Sequence, residues 1–303
     1  MRSRARPRVS IGLAVYNGAR FLAETIESHL DQTYQDFELI IADNASTDES
    51  GDIARRYAAR DRRVRYERSD VNIGAAANYR RAFRLARAPF FRWSAADDLF
   101  APDSLARCVE ILEGEPRVVL TYPRTKLIDE RGVVLREYED GLNLRSPSPS
   151  ERFTALLHRI GYVNAIYGLI RSAAMRDARG MGDYVGSDIV FQAELALYGS
   201  FWEIPDFLFF RRMHAAASSS MSAAERNQFY HPQAPRTISM RRWRHLWELA
   251  RAVERAPIPF HEKARIEGWL ALDAARGRGA LWTEIVNAVR DARPRPSNAR
   301  AVP

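Results

Sequence analysis

Between Val9 and Ser94 the sequence switches repeatedly between two hydrophobic periods, and this alternation limits the fold more than any other feature. Val9–Val15, Phe37–Ala42, Val64–Glu67 and Phe90–Ser94 are short apolar runs of strand length. Between them lie Ala19–Gln32, Glu49–Ala59 and Gly74–Arg87, with apolar residues at helical spacing, as at Phe21/Leu22, Ile26 and Leu30. Strands separated by helices of this length form parallel βαβ crossovers in a doubly wound α/β sheet. Such sheets bind ligands beyond the carboxyl ends of their strands, so the residues directly after each run are the ones to inspect for chemistry.

The pattern loosens downstream. Val118–Tyr122 and Thr125–Ile128 read as strands, with a turn at Glu130–Gly132 into Val133–Leu135. Polar Glu139–Ser150 reads as a mobile loop. Arg152–Arg159 and Asp188–Tyr198 have helical spacing; Ala165–Ile170, Phe201–Ile204 and Phe207–Arg211 are strand-like. Small, polar Ala215–Ala224 reads as flexible. Met240–Ala256 and Glu262–Ala274 read as helices, and the Pro/Arg-rich tail after Asp291 as disordered.

The chain of 303 residues carries a net charge of +8, and lysine occurs only at Lys126 and Lys263. Such a charge favours anionic ligands or surfaces. No stretch carries a nucleic-acid module, so no nucleic-acid partner is expected. Cys108 is the only cysteine, which excludes an intrachain disulfide and a cysteine metal cage. The basic start Met1–Arg8 is not followed by a signal-type apolar core, and no apolar run reaches the ~18 residues of a membrane span. A cytoplasmic enzyme is the expectation.

Asp97 and Asp98 end the run Phe90–Ser94. Adjacent carboxylates repel and desolvate poorly, so a strand ending in a pair of them suggests a hard cation; helix capping is the bland reading for Asp97. Asp43 ends the second strand and is placed either to accept from the imide N–H of a base or merely to form a turn with Asn44. In Asp70–Asn78, Gly74 and three alanines permit close backbone approach, and Asn72 and Asn78 offer amides to a base or ribose. Tight helix–sheet packing is the bland reading, and it explains the alanines better than it explains Asn78.

Taken together, Val9-Ser10-Ile11…Tyr16-Asn17-Gly18, Asp43-Asn44-Ala45-Ser46-Thr47-Asp48, Asn72-Ile73-Gly74 and Ser94-Ala95-Ala96-Asp97-Asp98 resemble the family 2 glycosyltransferases over about residues 7 to 220. The resemblance implies a GT-A fold, a Rossmann-like, mostly parallel mixed sheet flanked by helices. Residues 1–225 would form the catalytic domain, with a nucleotide-sugar part at about 7–125 and an acceptor part at about 126–225; residues 226–303 would be a C-terminal helical extension. It further implies that Val15, Asn17, Asp43, Asp70, Asn72, Gly74 and Asn78 bind the nucleotide, and that Asp97 and Asp98 hold Mg²⁺ or Mn²⁺. Many members have another Asp where this chain has Ala95, which leaves Asp98 the principal ligand.

Three downstream segments extend the resemblance. Ser187-Asp188 lies where the family has its catalytic base, with Asp183 as second candidate and an N-cap as the bland reading of Asp188. In Phe210-Arg211-Arg212-Met213-His214, His214 would join the metal and Arg211 or Arg212 would stabilise the departing diphosphate. The resemblance places Tyr162–Ile170 at the acceptor pocket, where Asn164 and Tyr167 would meet an acceptor hydroxyl, but a buried strand with incidental polar groups is the favoured reading of either one alone. Trp243, Trp247 and Trp269 lie among arginines; packing onto the catalytic domain is favoured over docking on the inner face of a membrane. The expected activity is inverting transfer of one sugar from a UDP- or dTDP-sugar to a hydroxyl acceptor: a sugar, lipid-linked glycan or small molecule. A sugar-phosphate nucleotidyltransferase and a non-catalytic nucleotide-sugar binder are the alternatives.

Overall fold

A computed structural model describes residues 6–217, 220–230 and 240–292. Four parallel strands form one half of the sheet: β1 (Val9–Val15), β2 (Phe37–Asp43), β3 (Val64–Arg68) and β4 (Phe90–Ala95). Helices α1 (Ala19–Leu30), α2 (Ser50–Arg60) and α3 (Ala75–Leu85) make the crossovers, as the alternating periods require. The register pairs Val15 with Asp43 and Ala14 with Ala95. The turns after β1, β2 and β4 therefore leave the sheet along one edge, and the segments holding Asn17, Asn44 and Asp97 start side by side.

The other half is mixed. Short β5 (Leu99–Phe100) precedes α4 (Ser104–Gly114); β6 (Val118–Ile128), β7 (Val134–Tyr138), β8 (Leu169–Arg171) and β9 (Ser200–Arg212) complete the order β3-β2-β1-β4-β8-β6-β9-β5, with β7 on β6. Each of β6 and β9 is one strand where the sequence suggested two. Pro123 and Pro205 interrupt the pattern, and the strands absorb them as irregularities in their mutual register, between Pro123 and Arg124. Antiparallel β5–β9 pairing sets Leu99 against Phe210, bringing the end of β9 beside Asp97 and Asp98.

Three local expectations are corrected. Ala165–Ile170 is not a strand: a 3₁₀ turn covers Asn164–Tyr167 and β8 follows it. A short buried apolar run fits either conformation. Glu139–Ser150 lacks regular structure but is anchored, with Leu142 and Leu144 buried. The Leu142 N–H donates to the Tyr122 hydroxyl and the Phe201 N–H to the Leu144 carbonyl. Part of the segment expected to be flexible is helix α8 (Ala223–Tyr230), while residues 218–219 lie outside the described residues, as does the tail from 293.

Helices α5 (Pro149–Arg159), α6 (Ser172–Asp177) and α7 (Ser187–Tyr198) cover the mixed half. The C-terminal α9 (Arg241–Arg255) and α10 (Phe260–Arg276) share its core: Leu249, Val253, Ile266 and Leu270 pack in the same buried cluster as Phe153, Phe191 and Phe201. A further helix, α11 (Arg278–Ala292), had no counterpart in the sequence reading. Trp269 packs against this cluster as expected, but Trp243 and Trp247 remain 41% and 63% exposed. Among the described residues no helix is long and apolar enough to cross a membrane.

Candidate active site

A cleft of about 670 Å³ opens at the shared strand edge, between the parallel half of the sheet and the end of β9. Val15, Asn17, Asn72, Asn78, Asp97, Asp98, Asp188, Arg211, Arg212 and His214 all line it. Asp43, Asp70, Gly74 and Asp183 do not.

The acidic pair is held from β9. The Arg212 N–H donates to Asp98 Oδ1 at 2.9 Å, and His214 Nε2 lies 2.9 Å from Asp97 Oδ2. Asp97 therefore does not cap a helix: α4 has Asp103 at its N-cap. Burial, with the charge of Asp97 adding to it, pushes the Asp98 carboxyl up to about 8 against the opposing pull of Arg211 and Arg212. A raised carboxyl is one that a cation would restore to its charged form. Among the described residues no three His, Cys, Asp or Glu side chains converge in metal-binding geometry.

The two adjacent arginines have different surroundings. Arg212 is buried, and its guanidinium donates to the carbonyls of Asp97 (2.9 Å), Asp129 (3.3 Å) and Glu130 (3.0 Å) and to Glu24 Oε2 (2.6 Å). It also lies over the Phe21 ring, 4.6 Å from the centroid. Arg212 is thus a clamp on the loops around Asp97. Arg211 uses Nη1 to donate to the Tyr162 carbonyl (2.6 Å) and Asn164 Oδ1 (2.7 Å), which aims its planar group along the cleft wall.

Asp188, on α7, lines the same cleft as the acidic pair. The N-cap of that helix is Gly186, with φ of 87°, so Asp188 lies inside the first turn rather than at the cap. The ring of His245 on α9 fills the space where a Cβ of residue 186 would go, and His245 Nε2 is 2.8 Å from the Val185 carbonyl. Burial raises the Asp188 pKa, opposed by hydrogen bonds from the backbone N–H groups of Ile189 and Asp188. Asp183 is 47% exposed and paired with Arg80 at 2.6 Å. It does not line the cleft, which leaves Asp188 the better-placed candidate.

The nucleotide-side expectations divide. Asp43 is fully buried: Oδ1 accepts from the Ser46 N–H, and Oδ2 from the Tyr66 hydroxyl and Arg68. Burial opposes its charge, but Ser46, Tyr66 and Arg68 outweigh burial and hold its pKa low. Asp43 is thus a buried anion engaged by three donors, and it does not line the cleft. Asp70 is exposed outside the cleft. Gly74 is buried and shapes the start of α3 through a φ of 85°. Asn72 Oδ1 accepts from Asn44 Nδ2 and from the Gly74 N–H, which leaves the Asn72 amide N–H groups for the cleft. Asn78 Nδ2 donates to the Ala42 carbonyl, while its Oδ1 is buried with no partner among the described residues. Asn17, with φ of 51°, accepts from the Thr47 N–H and so fixes the turn after β1.

Sequence reasoning missed Asp140, Phe229 and Tyr230. Asp140 Oδ1 accepts from the Asn164 N–H at 3.3 Å, behind the Asn164–Arg211 contact. Phe229 and Tyr230 bring α8 over the cleft. No local signal marks them, because each acts through long-range packing. Tyr167 lines the cleft, and Asn164 stands behind it as the acceptor for Arg211.

The family model of glycosyl transferase family 2 matches residues 10–175, more than half of the chain. The chain belongs to this family. An uncharacterised glycosyltransferase of Methanocaldococcus jannaschii is 31% identical over 136 residues, which is 44% of this chain and 47% of the relative. Chondroitin synthase of Escherichia coli is 32% identical over 127 residues, 42% of this chain and 18% of that protein. The chain therefore matches less than half the length of these curated relatives. Among solved structures, S. aureus TarS 1-349 in complex with UDP-GlcNAc superposes with a TM-score of 0.66 at 15% identity, over 94% of this chain and 80% of that one. The Pyrobaculum calidifontis mannosyltransferase PcManGT, in complex with GDP-Man and Mn²⁺, gives 0.51 at 17% identity, over 95% and 87%. These likenesses establish the GT-A fold for the family 2 chain.

Proposed function

We propose that this family 2 protein is an inverting glycosyltransferase, moving one sugar from a nucleoside diphosphate sugar to a hydroxyl acceptor. One observation carries the reading: Asp188 lines the same cleft as the Asp97–Asp98 pair, with Arg211 on its wall. An acid–base group, a cation site and a fixed guanidinium are what in-line displacement of a diphosphate requires.

In this reaction the acceptor oxygen forms the new bond to the anomeric carbon as the bond to the diphosphate oxygen breaks. Asp188 takes the hydroxyl proton; burial raises its pKa, which makes it a stronger base than a solvated carboxylate. Arg211 stabilises the charge developing on the departing diphosphate, and Arg212 keeps Asp97 and Asp98 in place. Asp98 and Asp97 fit Mg²⁺ or Mn²⁺, which takes one or two carboxylates and leaves the remaining positions to phosphate and water. The ion would supply charge neutralisation for the leaving group. His214 would orient Asp97. Asn72 and Asn78 take over base or ribose recognition from Asp43 and Asp70, with the unpaired Asn78 Oδ1 accepting from a base imide or a ribose hydroxyl. UDP- and dTDP-sugars are the first donors to try. The acceptor is a glycan under construction, as the resemblance to a polysaccharide synthase over part of the chain suggests.

The test is a donor panel of UDP-, dTDP- and GDP-sugars with Mn²⁺, scored as nucleoside diphosphate release by wild type, Asp98→Asn and Asp188→Asn. Release that falls about a hundredfold or more in each variant supports the assignment. Wild-type release by Asp188→Asn with an acceptor present removes the base; wild-type release by Asp98→Asn removes the cation site.

A further inference from the structure

The tryptophans that fail to pack onto the core lie together. Trp243 and Trp247 are one helical turn apart on α9, opposite the buried face of Leu249, Ala252 and Val253. Trp243 reaches the neighbouring helix, where its indole N–H donates to the Leu281 carbonyl at 3.1 Å. The next residue, Trp282, is 66% exposed. At the other end of the stripe the Arg251 guanidinium lies 5.8 Å from the Trp247 ring centroid. Trp243, Trp247 and Arg251 thus line one face of α9, with exposed Trp282 next to the residue of α11 that Trp243 contacts.

The charge around this surface is mostly positive. Arg241, Arg242, Arg244 and Arg251 are all exposed on α9. The nearby Glu284 is engaged in accepting the N–H groups of Arg242 and Trp243, and Glu248 is buried in ion pairs with Arg179 and Arg244. Exposed Glu254 lies at the far end of α9 and bounds the patch. Indoles flanked by guanidinium groups suit the headgroup layer of a bilayer, where the ring enters the acyl boundary and the cation meets lipid phosphate.

We infer that the α9–α11 face docks this protein on an anionic lipid surface. The face is coupled to the cleft. Arg244 lies over the Tyr184 ring at 4.7 Å, and His245 supports the Val185–Gly186 turn that leads into Asp188. His245 is on the opposite side of α9 from Trp243 and Trp247, so one helix separates the docking face from the turn before Asp188. The docking does not depend on the transfer reaction proposed above.

The experiment is vesicle flotation of the full chain without donor or acceptor, using phosphatidylcholine vesicles with and without phosphatidylglycerol. Size-exclusion chromatography with light scattering runs in parallel. Binding is expected only with phosphatidylglycerol and is lost at high salt. Arg251→Gln should weaken it about fivefold, and Trp247→Ala with Trp282→Ala about tenfold or more. Phe260→Ala should not change it, since Phe260 is 84% exposed but lies beyond the opposite end of α9. Absent binding, equal binding to neutral vesicles, or unchanged binding by both the arginine and tryptophan variants would overturn the inference. A dimer that Trp247→Ala dissociates would overturn it as well, by assigning the face to a second copy. Because no donor is present, failure here leaves the sugar-transfer reading standing, and failure of nucleoside diphosphate release leaves the docking standing.

Discussion

His214 Nε2 lies 2.9 Å from Asp97 Oδ2, joining two residues 117 positions apart. The contact exists because β5, directly after Asp98, pairs antiparallel with the end of β9, directly before His214. Phe21 packs against it from α1, its ring centroid 5.1 Å from that of His214. One strand pairing therefore brings the imidazole to Asp97, the Arg212 N–H to Asp98 and the Arg211 side chain to the cleft wall.

His214→Ala removes the imidazole that fixes Asp97. If the pair holds Mn²⁺, the ion concentration giving half-maximal nucleoside diphosphate release should rise about 10–100-fold. The check is a Mn²⁺ titration of both proteins at saturating donor. Superimposable curves would leave His214 with a packing role only.

Arg211 and Arg212 should separate cleanly when each is changed to Met. Arg211→Met should lower kcat by about a hundredfold with a smaller fall in the urea midpoint than Arg212→Met, because it leaves only the Tyr162 carbonyl and Asn164 Oδ1 without that donor. Arg212→Met leaves the carbonyls of Asp97, Asp129 and Glu130 without their donor and should cost about 3 kcal/mol of stability. A stable, weakly active Arg212→Met protein would reverse these roles.

This pair also marks the boundary of what the sequence discloses. Polar residues that end apolar runs stand out, which is why the Asp97–Asp98 pair was legible, whereas Asp188 and His214 were singled out only through the family resemblance. Which of two neighbouring arginines faces the cleft was not. Successive strand residues point to opposite faces, and the choice depends on how β9 pairs with β5 and β6. Asp43 gave no sign of its burial for the same reason. Its partner Arg68 is directly opposite it in the β2–β3 register, and nothing within Phe37–Asp48 announces that pairing. The parallel half of the fold was legible because each crossover is local. The mixed half was not, because Pro123 and Pro205 break the strand pattern without breaking the strands.

Asp43→Asn should act on stability rather than on donor choice. The amide cannot satisfy the Ser46 N–H, the Tyr66 hydroxyl and Arg68 equally, and the loss should be about 1–3 kcal/mol. The ratio of kcat/KM between UDP- and GDP-sugar donors should stay as in wild type. A changed ratio at unchanged stability would return Asp43 to the base site.

Asp140 gives a prediction with a defined pH window. Burial raises its carboxyl from 3.8 to about 6, although the Asn164 hydrogen bonds oppose the rise. The folded state therefore binds this proton more tightly than the unfolded chain does. Its contribution is fully present below the unfolded value, is lost as pH rises through about 4 to 6, and is constant above that. Asp140→Asn mimics the protonated form and keeps an oxygen for the Asn164 N–H. The variant should match wild type in urea unfolding at about pH 4 and exceed it by about 1–3 kcal/mol at about pH 7. An offset of equal size at both pH values would mean that Asp140 does not titrate in this window, and that the Asn164–Arg211 contact rests on packing alone.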